Sequence, residues 1–429
     1  ERHLARFVVE VIEGLDLGAM TGDYRASGEA SYHPSVILGL LIYGYATGVF
    51  SSRKLERATY DSVAFRYIAA NQHPDHDTIA AFRRRFLKQI EVLFVQVLVM
   101  AREMGLLKLG TVALDGAKIH ANASRHSALS YERAGQIEMQ LCEEVARLTA
   151  MAEATDQADV PDGMAIPEEL ARREKRLAEI ARARAIIEAR AKERYAREQA
   201  EYAAKMAARA AKSAETGNQP GGRPPAPPVA APGPADQVNL TDEGSRIMPM
   251  AAGGFEQCYN AQAVVAADSL LVVAGDAVQA PNDKQQMQPM LRELAALPGE
   301  LGKVEILLAD TGYFSEANAD ACAAAGIDPL LAQGRQSHYP PLSERTAADP
   351  PEPENPTPAE AMAHRLQTKA GKALYALRKQ TPEPVFGIIK SVMGFRQFSL
   401  RGLDNVRSEW KLVTMAWNIK RLFALAGAV

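Results

Sequence analysis

The chain is poor in the residues that staple or metallate a fold. It carries three cysteines, Cys142, Cys258 and Cys322, widely separated, odd in number and without CxxC spacing. Such a set excludes a disulfide framework and a sulfur-bound zinc site, and reads as the reduced thiols of a cytoplasmic protein. Of eight histidines only His73 and His76 lie close together. Pro74 and Asp75 between them mark a loop entering a helix cap, not a metal site. Long apolar runs are missing as well. The longest nearly uncharged stretch, residues 34–52, holds roughly fifteen apolar-leaning positions with glycines among them, too few to span a bilayer, so a buried core helix is expected there. No basic segment followed by an apolar one opens the chain, which gives no sign of secretion. An initiator Met is absent, and the chain starts inside an amphipathic pattern (Leu4, Phe7, Val8, Val11, Ile12), as a trimmed piece of a longer protein would.

A global positive excess is lacking too. The net charge is -3, which on its own argues against a nucleic-acid partner. The distribution argues for one. Residues 361–421 hold twelve Lys and Arg against three acids, Glu383, Asp404 and Glu409. That local excess is a plausible electrostatic footprint for DNA, because solvated helix faces usually interleave more acids.

At 429 residues the chain has room for two or three domains. Residues 1–104 read as an all-helical domain of DNA-binding type, with a helix-turn-helix arrangement and a plain bundle equally compatible with the pattern. His33-Pro34 opens the first clear helix, Ser51-Ser52 a short one over 53–59, and Asp77-Thr78 a long one running to about Met104. Arg83, Arg84 and Arg85 cannot all point inward from that helix. The period changes in 105–126, where Thr111 to Asp115 is an apolar strand and 118–122 its continuation or partner. Residues 127–215 are a helical, coiled-coil-like insertion, with Leu170, Leu177, Ile180 and Ile187 at heptad-like spacing. Residues 216–236 form a Pro/Gly-rich linker that cannot pack. Strands return within 237–338, at 257–266, 270–278, 304–310 and 327–332, with helices at 282–297 and after Ser315. A Pro-rich loop, 339–358, leads to basic helices over 359–429. Without the insertion the order is β-β-β-α-β-α-β-α, that of a ribonuclease-H-like mixed sheet. The expected fold is thus an α/β core with flanking helices, preceded by an all-α domain and interrupted by a long helical insertion.

Asp115 and Asp310 each end an apolar run. If the two strands are parallel neighbours, both carboxylates emerge at one edge, where open α/β sheets place their ligands. Two carboxylates there repel unless a cation lies between them. A third acid, Glu383, falls in the first turn of a helix opened by Thr381 and Pro382. Gly387 and Lys390 share its face, while Val385, Ile388 and Ile389 point to the core. Glu409, flanked by Arg407 and Lys411, is the rival third ligand, but its neighbours favour surface or bridging pairs. Three hard-oxygen donors of this kind suit a pair of Mg²⁺ ions that cleave phosphodiesters. Each of the two aspartates could equally begin a turn, and Glu383 could simply face the helix dipole.

The chain resembles the DDE transposases of bacterial insertion sequences, in the branch with an InsH-like N-terminal domain. The resemblance rests on YHPSVILGLLIYGYATGVFSSRKLE, HPDHDTIAAFRRRF, TVALDGAKIHANAS, GFEQCYNAQAVV, NDKQQMQPML, ILLADTGYFS and EPVFGIIKSVMGFRQFSLRGLDNVRSEWKL, in that order. It implies Asp115, Asp310 and Glu383 as catalytic metal ligands, and Tyr375, Arg378 and Lys390 as a Tyr-Arg-Glu-Lys motif around Glu383. Four residues separate Arg378 from Glu383, where related proteins commonly have three. Lys390, Arg378, Arg396 and Arg401 are expected to hold DNA phosphates, with two Mg²⁺ as cofactor and Mn²⁺ as substitute. The expected partners are double-stranded DNA, both terminal inverted repeats and target, and a second copy of the chain in a synaptic dimer. No membrane is involved, and the expected location is the cytoplasm, at the nucleoid when bound to DNA. The competing readings are a non-catalytic DNA-binding protein derived from a decayed transposase, a metal-dependent nuclease without strand transfer, and a helical scaffold built around residues 127–215.

Overall fold

The computed structural model describes residues 2–22, 32–155, 166–218, 221–251, 253–334 and 348–427. Seven helices come first: α1 (Leu4–Glu13), α2 (Gly18–Thr21), α3 (Pro34–Thr47), α4 (Ser52–Asp61), α5 (Val63–Ile68), α6 (His76–Arg85) and α7 (Leu87–Glu103). Then follow β1 (Gly110–His120), β2 (Ala128–Ser130), α8 (Tyr131–Thr155), α9 (Ile166–Thr216), β3 (Gln237–Asn239) and β4 (Arg246–Pro249). The rest are β5 (Phe255–Ala266), β6 (Val272–Val278), α10 (Met287–Ala295), β7 (Val304–Ala309), α11 (Glu316–Ala324), β8 (Asp328–Leu331), α12 (Pro358–Arg365), α13 (Lys369–Gln380), α14 (Pro382–Ser391) and α15 (Leu403–Ala426). They fall into two compact units, one of residues 1–122 with 244–429, the other of 123–243.

The first unit is organised by β1. Val112, Ala113 and Leu114 are buried in succession, as happens when both faces of a strand are covered. β1 pairs antiparallel with β5 on one side and parallel with β7 on the other, β8 extends the sheet beyond β7, and β6 and β4 share the far side of β5. Three antiparallel strands followed by two parallel ones make the mixed, ribonuclease-H-like sheet that the sequence pattern predicts. β4 goes beyond that expectation. β1 runs on past Asp115 to His120 with β5 alongside, so residues 118–120 continue the strand, one of the two arrangements expected, and are not its partner.

α3 is capped by the His33 ring with Pro34 in its first turn, and ends where Gly48 takes φ 87°, a left-handed value that glycine adopts at no cost. It is buried almost all round, as a stretch too apolar for the surface requires. Among the described residues no single helix is long and apolar enough to cross a membrane. The long helix expected to end near Met104 is two helices. Asp75 caps α6 by accepting from the Thr78 N–H, and Phe86 leaves helical geometry before α7 begins. Phe82 and Phe86 before the break and Leu87 and Ile90 after it are all buried. Of the three arginines, Arg83 turns inward while Arg84 and Arg85 are exposed.

α15 lies between the sheet and the N-terminal helices, packing on β6, α3, α7 and α1. Trp410 donates to the Gln262 carbonyl, Trp417 to that of Leu270, and Asn418 bonds both the N–H and the carbonyl of Val272. Glu409, expected among surface pairs, is fully buried on this helix. It accepts from the Tyr45 hydroxyl at 2.7 Å and from the backbone N–H groups of Ser399 and Leu400, and Arg83 reaches the same hydroxyl. One carboxylate therefore ties α15, α3, α6 and the 399–400 turn together, and this is why the N-terminal helices share a unit with the sheet.

The second unit is an antiparallel pair, α8 against the 51-residue α9, closed by the β2–β3 ladder. Ile180 and Ile187 enter its core with Leu129, Ala134, Ala183 and Val238, whereas Leu170 and Leu177, expected in the same stripe, are only half-buried. Arg173–Glu144 and Arg184–Glu138 ion pairs set the helix register. In the Pro-rich segment residues 225–229 face Glu201 and Tyr202 of α9 across an open pocket, with Pro225 and Pro228 half-buried and the other three exposed. Of the Pro-rich loop expected at 339–358, residues 339–347 lie outside the described residues.

Glu409→Ala should strip the acceptor from three buried donors and lower the unfolding free energy by about 3–5 kcal/mol, the usual cost of breaking a buried charge-bearing network. Urea denaturation checks this, with Glu409→Gln expected to lose less.

Candidate active site

The parallel ladder of β1 and β7 ends at Leu114 opposite Ala309. The next residue on each strand is Asp115 or Asp310, so register alone sets the two carboxylates at one edge of the sheet. The backbones diverge from there. Asp310 caps a tight turn by accepting from the Gly312 N–H, while Asp115 stays in its strand opposite Ala263 of β5 and accepts from the Gly116 N–H. Burial pushes the Asp115 carboxyl up to about 6; the Gly116 N–H opposes this, the charge of Asp310 adds to it, Arg378 opposes it, and Asp283 adds further.

Glu383 reaches the edge from another direction. α13 stops at Thr381, and Pro382, which has no N–H to donate, starts α14. Glu383 stands in the first turn as expected, with Pro382, Val385, Phe386 and Ile389 buried behind it. The extra residue between Arg378 and Glu383 is taken up at this break. Arg378 of α13 then donates to Glu383 at 3.2 Å and stands 3.9 Å from Asp115. Its side chain is only 12% exposed, so the guanidinium bridges two site carboxylates and is not presented to phosphate as the sequence suggested. Its Nε is buried without a hydrogen-bond partner. Tyr375 lies one helical turn before Arg378, and burial pushes its hydroxyl up.

Lys390 is turned inward too. It donates to the Lys118 carbonyl of β1, and burial draws its ammonium down from the usual lysine range. Arg396 and Arg401 are exposed, anchored by their Nε atoms to the carbonyls of Lys390 and Asn122, and follow the continuation of β1 away from the edge. Several other cations of the basic segment are matched within the fold: Arg365 by Asp328, Arg407 by Asp276, and Lys411 by Glu293 at 2.7 Å. The exposed positive surface is therefore narrower than the residue count implies.

Sequence reasoning missed Asp283. The helix expected to open at Asn282 begins only at Met287, and the turn before it returns Asp283 to β5. There its Oδ1 accepts from Asn260 at 2.7 Å and Gln262 at 2.8 Å. Tyr313, buried three residues after Asp310, donates to the Gln262 oxygen, which fixes which end of that amide faces Asp283. Burial and then the charges of Asp283, Asp115 and Asp310 push the Tyr313 hydroxyl well above its ordinary value. The local signal was a pair of polar residues, Asn260 and Gln262, inside an otherwise apolar strand.

The donor set fits a hard divalent cation: every group is a carboxylate, with no thiol or imidazole among them. Two glycines make the space. A Cβ on Gly116 would stand 2.3 Å from Gln262 and 2.7 Å from Asp283, and one on Gly312 would stand 2.9 Å from Asp310. As the side chains stand, no three His, Cys, Asp or Glu among the described residues converge on one point, and Arg378 supplies the positive charge between Asp115 and Glu383.

Two family models match the chain. One is described as Transposase DDE domain and covers residues 228–419; the other is described as Transposase domain (DUF772) and covers residues 1–85. No curated protein and no solved structure matches. The DDE match takes in Asp310 and Glu383 but starts beyond Asp115, which joins them only through the pairing of β1 with β7.

With a folded value of about 6 against an ordinary 3.8, Asp115 holds its proton more tightly in the folded chain. Its contribution to stability is complete below the unfolded value and is lost as pH rises through about 6. In buffers with chelator, thermal melting should therefore show the wild type losing stability relative to Asp115→Asn as pH rises from 4 to about 6.

Proposed function

This chain belongs to the DDE transposases of insertion sequences, and we propose that it cuts and joins the inverted-repeat ends of its element by phosphodiester hydrolysis and transesterification. In this reading Asp115, Asp310 and Glu383 hold two Mg²⁺ ions, for which Mn²⁺ can substitute. The observation that carries it is the β1–β7 register, which sets Asp115 beside Asp310, together with the α13–α14 break that brings Glu383 to the same Arg378.

Divalent cations at such a site supply Lewis acidity at the scissile phosphate and favour ionisation of the attacking oxygen, first water and then the freed 3′-hydroxyl. The chain's own groups do the positioning. Asp115 accepts from the Gly116 N–H and Asp310 from the Gly312 N–H, which anchors each carboxylate to its own backbone. Arg378 balances the charge of Asp115 and Glu383. Arg396 and Arg401 hold the DNA backbone along the continuation of β1, contacts that set position without reading sequence. Sequence readout falls to the N-terminal helices. Joining two ends requires at least a dimer of the chain during reaction, acting on DNA in the cytoplasm.

The test is Mg²⁺- and Mn²⁺-dependent cleavage of duplex DNA carrying the element's ends. Asp310→Ala and Glu383→Gln should each lower cleavage by at least ~100-fold, since several kcal/mol of metal-derived charge stabilisation is at stake, while DNA binding persists. Strand-joined products separate a transposase from a nuclease. Cleavage that survives Glu383→Gln would remove Glu383 from the site.

A further inference from the structure

Asp283 has no part in the triad, yet it is built into the same edge. Its Oδ1 is held by two amide donors, Asn260 and Gln262, whose side chains are almost wholly buried on β5. Gln262 is in turn oriented by Tyr313, which belongs to the turn that Asp310 caps. The two glycines following the catalytic aspartates lie against it. A Cβ on Gly116 would stand 2.7 Å from Asp283 Oδ1, and one on Gly312 would stand 3.7 Å from its Oδ2. Asp283 is thus wedged between the two backbone turns that carry Asp115 and Asp310, with one oxygen fixed and the other directed toward the Asp310 turn.

Anchoring the 280–286 turn to β5 does not require a carboxylate. An asparagine oxygen accepts from the same two amides, and a third negative charge beside Asp115 and Asp310 is a cost to the fold by itself. The charge becomes useful if a cation sits at that edge. Buried partners that fix a metal-site carboxylate, as Asn260 and Gln262 do here, are the usual support of a ligand.

We infer that Asp283 is a fourth carboxylate of the catalytic edge, lending an anionic oxygen to the divalent cation bound by Asp115 and Asp310. The inference rests on the metal-dependent reading above. It makes the Asn260–Gln262–Tyr313 relay a positioning device for the metal site, and it gives the close approach of Gly116 to Asp283 a role.

The test is Mn²⁺ binding to the full chain without DNA, followed by electron paramagnetic resonance and calorimetry, beside thermal melting in chelator. Asp283→Asn should weaken Mn²⁺ binding by about 10-fold or more, with melting in chelator unchanged or raised. Asp283→Glu, which keeps the charge but disturbs the two amide bonds, should regain part of that affinity. Asp310→Asn serves as the control for the triad. Wild-type affinity in Asp283→Asn, alongside a loss in Asp310→Asn, would overturn the inference and leave the triad standing. The same holds if Asp283→Glu binds no better than Asp283→Asn while both melt below the wild type, because Asp283 would then be a structural anchor. Equal Mn²⁺ binding by wild type and Asp310→Asn would overturn the metal-dependent reading itself.

Discussion

Everything at the catalytic edge depends on the parallel pairing of β1 with β7. Residues distant in sequence become neighbours because Leu114 lies opposite Ala309, and a slip of one residue would send Asp115 to the other face of the sheet. The ladder is secured by burial on both faces, by β5 along the other side of β1, and by β8 beyond β7. Burying a carboxylate at such an edge costs free energy, and so does setting others beside it; the raised carboxyl of Asp115 reflects its burial first and the charges of Asp310 and Asp283 after that. Arg378 offsets part of it from α13.

The second organising contact is the buried Glu409. A charged group in the core has to be hydrogen-bonded, and Glu409 meets that demand with three donors from two separate segments, Tyr45 of α3 and the 399–400 turn. The result is a rigid connection between the N-terminal helices, the C-terminal helix and the turn preceding it. A module expected to stand apart as a DNA reader instead shares its core with the catalytic sheet. α3 and α6 are thus linked through Tyr45 and Glu409 to α15, and α15 is bonded directly to the β5–β6 hairpin. The insertion, by contrast, has its own small core and its own ion pairs.

Much of the fold was legible because local rules sufficed. His33 and Ser315 mark the starts of α3 and α11 through side-chain caps, and Pro34 and Pro382 mark those of α3 and α14 by standing in the first helical turn, signals that act within a few residues. The apolar runs of β1 and β7 betray strands covered on both faces. What was not legible depended on distant partners. The choice between residues 118–120 as a continuation of β1 and as its partner depends on β5 lying alongside, and the late start of α10 goes with the capture of Asp283 by Asn260 and Gln262. Glu409 misled for the same reason: Arg407 and Lys411 are its neighbours in sequence, but Tyr45 and the 399–400 turn are its neighbours in space.

The sequence by itself determined the order of most strands and helices and the position of the insertion, because spacing and periodicity are local properties of the chain. Tertiary structure alone decided which charges face one another. It joined Asp283 to the aspartate pair, turned Arg378 and Lys390 from surface cations into partners of the edge, and buried Glu409. A side chain's electrostatic role is set by what lies within a few ångströms in space, and for these residues those neighbours lie from a few to several hundred positions away along the chain.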